Sequence, residues 1–282
     1  DAQGAAVIVM EVKTGNILAC ASYPTYNLAT MYEDWDEIMA DEKNPMFNRA
    51  FGAEYPPGST FKMCTLISAM ENRNSKGEII HPYGTTIRDK GVYTEYEGFN
   101  PTCLAWTSGG YTHGEIDGAY ALCYSCNYFF HQLGDLNNWQ NMEQTCKDLG
   151  LGVPTGIELT EKPGRINTPD VKREIYGAGV DANFAVGDRI LGAIGQGEYR
   201  FTPLQLCVYA STLANKGTRM KATFKNRVVS SDYRVLVEEN MPQVLSTYDI
   251  TDAYPSSETW VSGGDTVDFS CTAPAGSTVT VT

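Results

Sequence analysis

The sequence contains no run approaching the roughly 20 consecutive apolar residues of a membrane span, and its first residues, Asp1-Ala2-Gln3-Gly4, lack the basic start of a signal peptide. Such a beginning reads as a cut from something longer. Basic residues are scarce: 21 Lys and Arg stand against 34 Asp and Glu, for a net charge of −13. A surface of that sign repels phosphate backbones and anionic lipid, which excludes nucleic acid as a partner. The eight cysteines show neither the repeated pairs of a zinc module nor the density of a small disulfide-stapled one, and Cys64 and Cys207 fall in apolar runs as small buried hydrophobes do. Composition leaves the compartment open. What is abundant is core material, since 42% of the 282 residues are apolar and 11% aromatic, enough for one large domain or two ordinary ones.

Residues 5 to 12 (AAVIVMEV) are apolar and β-branched, and 16 to 21 continue in the same style after Lys13-Thr14-Gly15. This predicts a buried opening hairpin. Prolines at 24, 45, 56 and 57 then mark connections with short helices. The segment STFKMCTLISAMEN (59 to 72) is apolar on nearly every face of a helix, which predicts a buried one, with Ser59 as its N-cap. Residues 76 to 114 are polar and turn-rich, and 116 to 134 return to helical spacing with an interruption near Tyr124-Ser125. A helix fits 138 to 149, ended by Gly150. Six glycines crowd residues 177 to 197, and Thr202-Pro203 opens a helix running to about Asn215. Beyond 218 the texture is that of strands, and from 253 onward a Ser/Thr/Gly-rich tail reads as the start of a small β-sandwich-like module or insertion, after a main domain spanning 1–252. The fold class expected is α/β (α+β), with an antiparallel sheet packed on a helical subdomain around a central buried helix.

A serine hydroxyl is a poor nucleophile without a base in reach to take its proton. Ser59 and Lys62 are three apart and share one helix face, and burial pushes a lysine toward the neutral amine that can act as that base. An N-cap serine followed by a lysine whose stem covers apolar surface is the plain alternative. Against it stands the placement of Lys62: a cation in the first turn of a helix is electrostatically misplaced, and this one lies in the most apolar stretch of the chain.

The string YPPGSTFKM (55 to 63) resembles the active-site segment of penicillin-binding transpeptidases, with their S-x-x-K motif, and Ser125-Cys126-Asn127 resembles the S-x-N element that follows it. Further similar stretches begin at Gly4, His113, Thr155 and Ala193 (AIGQGEYRFTPLQL), so the resemblance spans about residues 4 to 220. It implies a β-lactamase/transpeptidase-like fold with Ser59 as nucleophile, Lys62 as base, and Ser125 and Asn127 completing the pocket by proton relay and amide contacts. It also implies D-Ala-D-Ala stem peptides of peptidoglycan as substrate, acylation by β-lactams, contacts with other cell-wall synthesis proteins, and a place outside the cytoplasmic membrane on an N-terminal anchor. No cofactor or metal is called for. His113 and Gly195-Gln196-Gly197 belong to the pattern and are read as structural.

The third element of such sites, a Lys-Thr/Ser-Gly strand, is absent downstream of Asn127. Lys13-Thr14-Gly15 precedes Ser59, contrary to the family order, and reads as the hairpin turn. The missing strand is expected to give one of two oxyanion-hole amides, so the fragment is expected to be impaired or inactive. A non-catalytic wall-binding or scaffold protein with the same fold is the competing reading.

Overall fold

Ten residues, Lys62–Glu71 (KMCTLISAME), make the helix around which the chain is wrapped, and all of them except Met63 and Glu71 are buried, the polar Lys62, Thr65 and Ser68 included. A computed structural model describes residues 3–177, 179 and 183–250, with the backbone of 269–273 and 277–281. In chain order the elements are strands β1 (Ala5–Met10) and β2 (Ile17–Tyr23), helix α1 (Trp35–Ala40), the central α2 (Lys62–Glu71), β3 (Ile87–Arg88), α3 (Leu104–Gly109), β4 (Glu115–Ile116), α4 (Gly118–Cys123), α5 (Asn127–Leu136), α6 (Trp139–Asp148), α7 (Pro169–Tyr176), α8 (Val186–Gly192) and α9 (Pro203–Ala214). Strands β5 (Thr218–Met220), β6 (Arg227–Val229), β7 (Leu236–Glu239), β8 (Val244–Thr247), β9 (Phe269–Ala273) and β10 (Ser277–Val281) follow. Each named strand pairs antiparallel with one partner: β1 with β2, β3 with β4, β5 with β8, β6 with β7 and β9 with β10.

The helices start where local chemistry lets them. Asn138 caps α6 by accepting the Asn141 N–H, and Thr202 and Gln205 exchange side-chain and backbone bonds at the start of α9, with Pro203 in its first turn. Helices α5 and α6 both pack on α2, and α5 also meets α8, where Gly134 is bare enough for the Ala193 Cβ and the Arg189 carbonyl to close on it. The main core is aromatic, with Phe61, Tyr128, Phe129, Phe130, Tyr199 and Phe201 all buried. A smaller cluster of Ile157, Leu204, Val208 and Ala222 joins α9 to the inner face of the β1–β2 hairpin through Ile8, Met10 and Ile17.

One expectation changes, and two helices come as additions. The hairpin is not buried: Val7, Val9 and Leu18 are exposed, because only one face of the ribbon rests on α9 and the alternation of a strand sends the other residues outward. The helices α7 and α8 were not legible among the crowded glycines and polar residues of 165–192. The turn 11–16 does hold Lys13-Thr14-Gly15, with Lys13 Nζ donating to Asn215 Oδ1 at 2.8 Å. The expectation of a β module from residue 253 falls mostly outside the described residues; within it, β9 and β10 pair antiparallel from Phe269↔Val281 to Ala273↔Ser277.

Candidate active site

Pro57 and Gly58 set the direction of the chain into the central helix. Gly58 takes φ +56, and residues Gly58–Phe61 then form one 3-10 turn that runs straight into α2, the Lys62 N–H donating to the Ser59 carbonyl. Ser59 therefore sits inside helical backbone and does not cap it, because Gly58 makes the reversal that a cap residue would have made. Its side chain is exposed and makes no hydrogen bond with another described residue.

One residue beyond that turn, Lys62 points inward and is 1% exposed. Its Nζ donates to the Ser125 carbonyl at 2.8 Å, lies 2.9 Å from Ser125 Oγ and 2.6 Å from Asn127 Oδ1, and stands 5.4 Å over the Phe130 ring. Three acceptors match the three protons of an ammonium, and a neutral amine in the same place can instead accept from the Ser125 hydroxyl. Burial pulls the amine down to about 8, opposed by the sulfurs of Cys126 and Cys103. His131, one turn along α5 from Asn127, is also buried and is held to about 4 by that burial, so a second cation does not compete beside Lys62.

The second segment owes its geometry to a break. Helix α4 stops at Cys123, Ser125 adopts φ +52, and α5 starts at Asn127. A left-handed serine is strained, and here it aims both the carbonyl and the hydroxyl of one residue at one amine. The interruption foreseen near Tyr124-Ser125 is this turn. Of the four residues singled out from sequence, Lys62, Ser125 and Asn127 meet directly, with Ser59 on the turn preceding Lys62. An open cleft of about 540 Å³ lined by Trp139, Arg173 and Arg189 lies elsewhere and includes none of them.

Between Ser125 and Asn127, the side chain of Cys126 faces the opposite way, into a cluster that sequence reasoning missed. The ligand atoms of Asp89, Cys103, His113 and Cys126 all lie within 4.8 Å of one another. Asp89 Oδ2 is 2.8 Å from His113 Nδ1 and 3.5 Å from Cys126 Sγ; Cys103 Sγ is 3.7 Å from His113 Nδ1 and 3.8 Å from Cys126 Sγ. A tetrahedral zinc ion with bonds of 2.0–2.3 Å sets its donors about 3.3–3.8 Å apart, so this set of two thiols, an imidazole and a carboxylate could hold one if the Asp89–His113 contact widens and the wider pairs, which reach up to 4.8 Å, close in. Burial alone would raise the Asp89 carboxyl, but the His113 and Gly91 amides, the His113 ring and Cys126 hold it below the usual range. The hydrogen bond between Cys103 and Cys126 holds the Cys103 thiol down to about 5 and pushes the Cys126 thiol up. Local spacing gave no signal: successive donors are at least ten residues apart, and the chain's one Cys-x-x-Cys spacing is split between exposed Cys123 and buried Cys126.

Residues 5–258 match the family described as the penicillin binding protein transpeptidase domain. The chain is 32% identical over 218 residues to the peptidoglycan D,D-transpeptidase MrdA of Haemophilus influenzae, covering 75% of this chain and 32% of that protein. It is 29% identical over 221 residues to MrdA of Acinetobacter baumannii, covering 76% of this chain and 31% of the relative. The chain thus spans about a third of the length of these relatives. Among solved structures it resembles penicillin-binding protein PBP2 of Helicobacter pylori in complex with MreC (TM-score 0.68, 27% identity, 83% of this chain and 41% of that one). The D,D-transpeptidase domain of a peptidoglycan glycosyltransferase from Eggerthella lenta shares the fold (TM-score 0.72, 22% identity, 88% of this chain and 58% of that one). The chain belongs to the penicillin-binding protein transpeptidase family.

Proposed function

We propose that the chain is the acyl-transfer part of a peptidoglycan D,D-transpeptidase of the cell envelope, with Ser59 as nucleophile. The observation that carries this reading is the buried Lys62 amine held by Ser125 and Asn127 one helical turn from an exposed serine. Ser59 Oγ attacks the carbonyl carbon between the terminal D-alanines of a stem peptide while neutral Lys62 takes the hydroxyl proton. The Ser125 hydroxyl, within hydrogen-bond reach of Lys62, passes its proton to the departing D-alanine amine and takes in its place the one Lys62 received from Ser59, which returns the lysine to its neutral form. Loss of D-alanine leaves the acyl group on Ser59, and an amine from a neighbouring strand attacks that ester and releases the serine. Asn127 holds Lys62 and offers its amide to the substrate backbone. A β-lactam enters the same first step and stops there.

No Lys-Thr/Ser-Gly string lies between Asn127 and Thr282, and removal of a single oxyanion donor costs about a hundredfold or more in rate. Acylation by residues 1–282 alone is therefore expected to be slow. The relatives support a place at the cell envelope on the outer side of the cytoplasmic membrane, and the solved complex of a relative with MreC supports cell-wall synthesis proteins as partners. The donor set of Asp89, Cys103, His113 and Cys126 supports a structural zinc ion behind the site, which would fix the Ser125–Asn127 turn and take no part in bond making.

The test is incubation with a fluorescent penicillin followed by peptide mass spectrometry. A covalent adduct on the peptide containing Ser59, lost in Ser59→Ala, is the expected result. Labelling that survives Ser59→Ala removes the nucleophile assignment, and a full-length protein that binds wall fragments without ever labelling favours the scaffold reading.

A further inference from the structure

The turn Gly192–Gly197 contains no group able to react, yet it touches the backbone of the nucleophile. Gly195 has φ +74 and its carbonyl accepts the Gly58 N–H at 3.2 Å. A Cβ placed on Gly195 would lie 2.1 Å from the Gly58 carbonyl oxygen and 2.8 Å from the Gly58 carbonyl carbon and nitrogen. Because a peptide bond is planar, the Gly58 carbonyl and the Ser59 N–H are two ends of one rigid unit. Anything that turns the oxygen turns the amide and moves the Ser59 Cα with it. The same turn is fastened to the helix of the proposed base: the buried Thr65 hydroxyl, three residues after Lys62, donates to the Ala193 carbonyl at 2.9 Å.

We infer that Gly195 is a positioning residue for the acyl-transfer reaction, setting the Gly58–Ser59 peptide unit, and through it the serine hydroxyl and amide, at a fixed offset from Lys62. The inference rests on the serine acyl-transfer reading. It explains in physical terms why the position must lack a side chain: there is backbone, not a movable side chain, where the methyl would go. Two residues on, Gly197 supplies a matched control, since it has φ +80 but a Cβ there would have the Asn167 side chain as its nearest contact, at 3.2 Å. Both substitutions to alanine carry left-handed strain, and only one of them presses on Ser59.

The experiment compares wild type, Gly195→Ala and Gly197→Ala in the full-length protein, using stopped-flow fluorescent penicillin to separate non-covalent binding from the acylation rate constant, with thermal unfolding alongside. Misplacement of reacting atoms by about 1 Å costs on the order of a hundredfold in rate, which is the loss expected for Gly195→Ala, with non-covalent binding little changed. Gly197→Ala is expected to keep the wild-type rate constant. Equal rate constants for the two variants would overturn the inference while leaving Ser59 as the nucleophile. A wild-type protein that never acylates at Ser59 removes the functional reading itself, which is a different result. Should Gly195→Ala fail to fold, Thr65→Val decides, because it frees the turn from α2 without adding bulk at Gly58: slowed acylation with retained binding supports the inference, and an unchanged rate constant overturns it.

Discussion

Lys62 Nζ lies 2.9 Å from the hydroxyl oxygen and 2.8 Å from the carbonyl oxygen of the same residue, Ser125, so a single strained serine grips the amine twice. An amine so placed has a proton affinity set by two opposing demands, the desolvation that expels its charge and the acceptors that welcome it.

The first prediction concerns pH. With Lys62 at about 8 and the neutral form required as base, the acylation rate constant rises about tenfold per unit below pH 8 and levels off above it. The same shift acts on stability with a defined sign. The unfolded chain keeps the lysine proton up to its ordinary value of 10.5 while the folded chain releases it near 8, so between these the unfolded state binds more protons and stability rises with pH. The gain over that window is about 3 kcal/mol at most. Chemical denaturation of wild type and Lys62→Met across pH 7.5 to 10.5, a range set by those two values, checks it: the slope is expected to shrink in the variant.

Removing Asn127 Oδ1 takes one of three acceptors from a buried cation. Asn127→Ala is expected to lose about 1–3 kcal/mol of stability at pH 7 and less above pH 9, where the amine is neutral. Penicillin labelling should fall with it. A variant equally destabilised at both pH values would show that the bond to Lys62 is not what Asn127 contributes.

Metal content is the third measurable. Purified without chelators, the protein is expected to carry about one zinc per chain by elemental analysis, and Cys103→Ser or His113→Ala to carry much less. Stripping the ion should lower the unfolding midpoint and slow acylation together, since Cys126 belongs to the turn that presents Ser125. Metal-free protein with an unchanged midpoint would remove the ion from the account.

Phe61 closes the 3-10 turn from below, its ring centroid 4.4 Å from that of Tyr199 and 6.2 Å from that of Phe201, with no exposure to solvent. Phe61→Ala is expected to cost about 3–5 kcal/mol in equilibrium unfolding. Phe61→Leu should recover most of it, while a small loss for the alanine variant would mean that the pocket collapses readily around the gap.

What could be read from sequence was whatever repeats at short range. The all-round apolar segment 59–72 announced a buried helix, Thr202-Pro203 announced the start of α9, and Lys62, Ser125 and Asn127, which the structure brings together, stood out because one shares a helical turn with a serine and the others share a tripeptide. The backbone at Gly58 hid the true position of Ser59, since nothing local tells a cap from the second residue of a 3-10 turn. The exposed side of the β1–β2 ribbon was misjudged because apolar residues occur on both faces of AAVIVM, and only the tertiary partner, α9, decides which face is covered. The cluster around Asp89 was invisible for the opposite reason: its members come from separate turns of a polar stretch and from α5's first residue boundary, brought together by folding alone.

Cys126 sits with its neighbours' side chains turned one way and its own turned the other. Residue 126 thus ties two sets of contacts to one short stretch of backbone, so that a substitution which shifts its buried sulfur also shifts the turn that presents Ser125 and Asn127, with every residue around the Lys62 amine left unchanged.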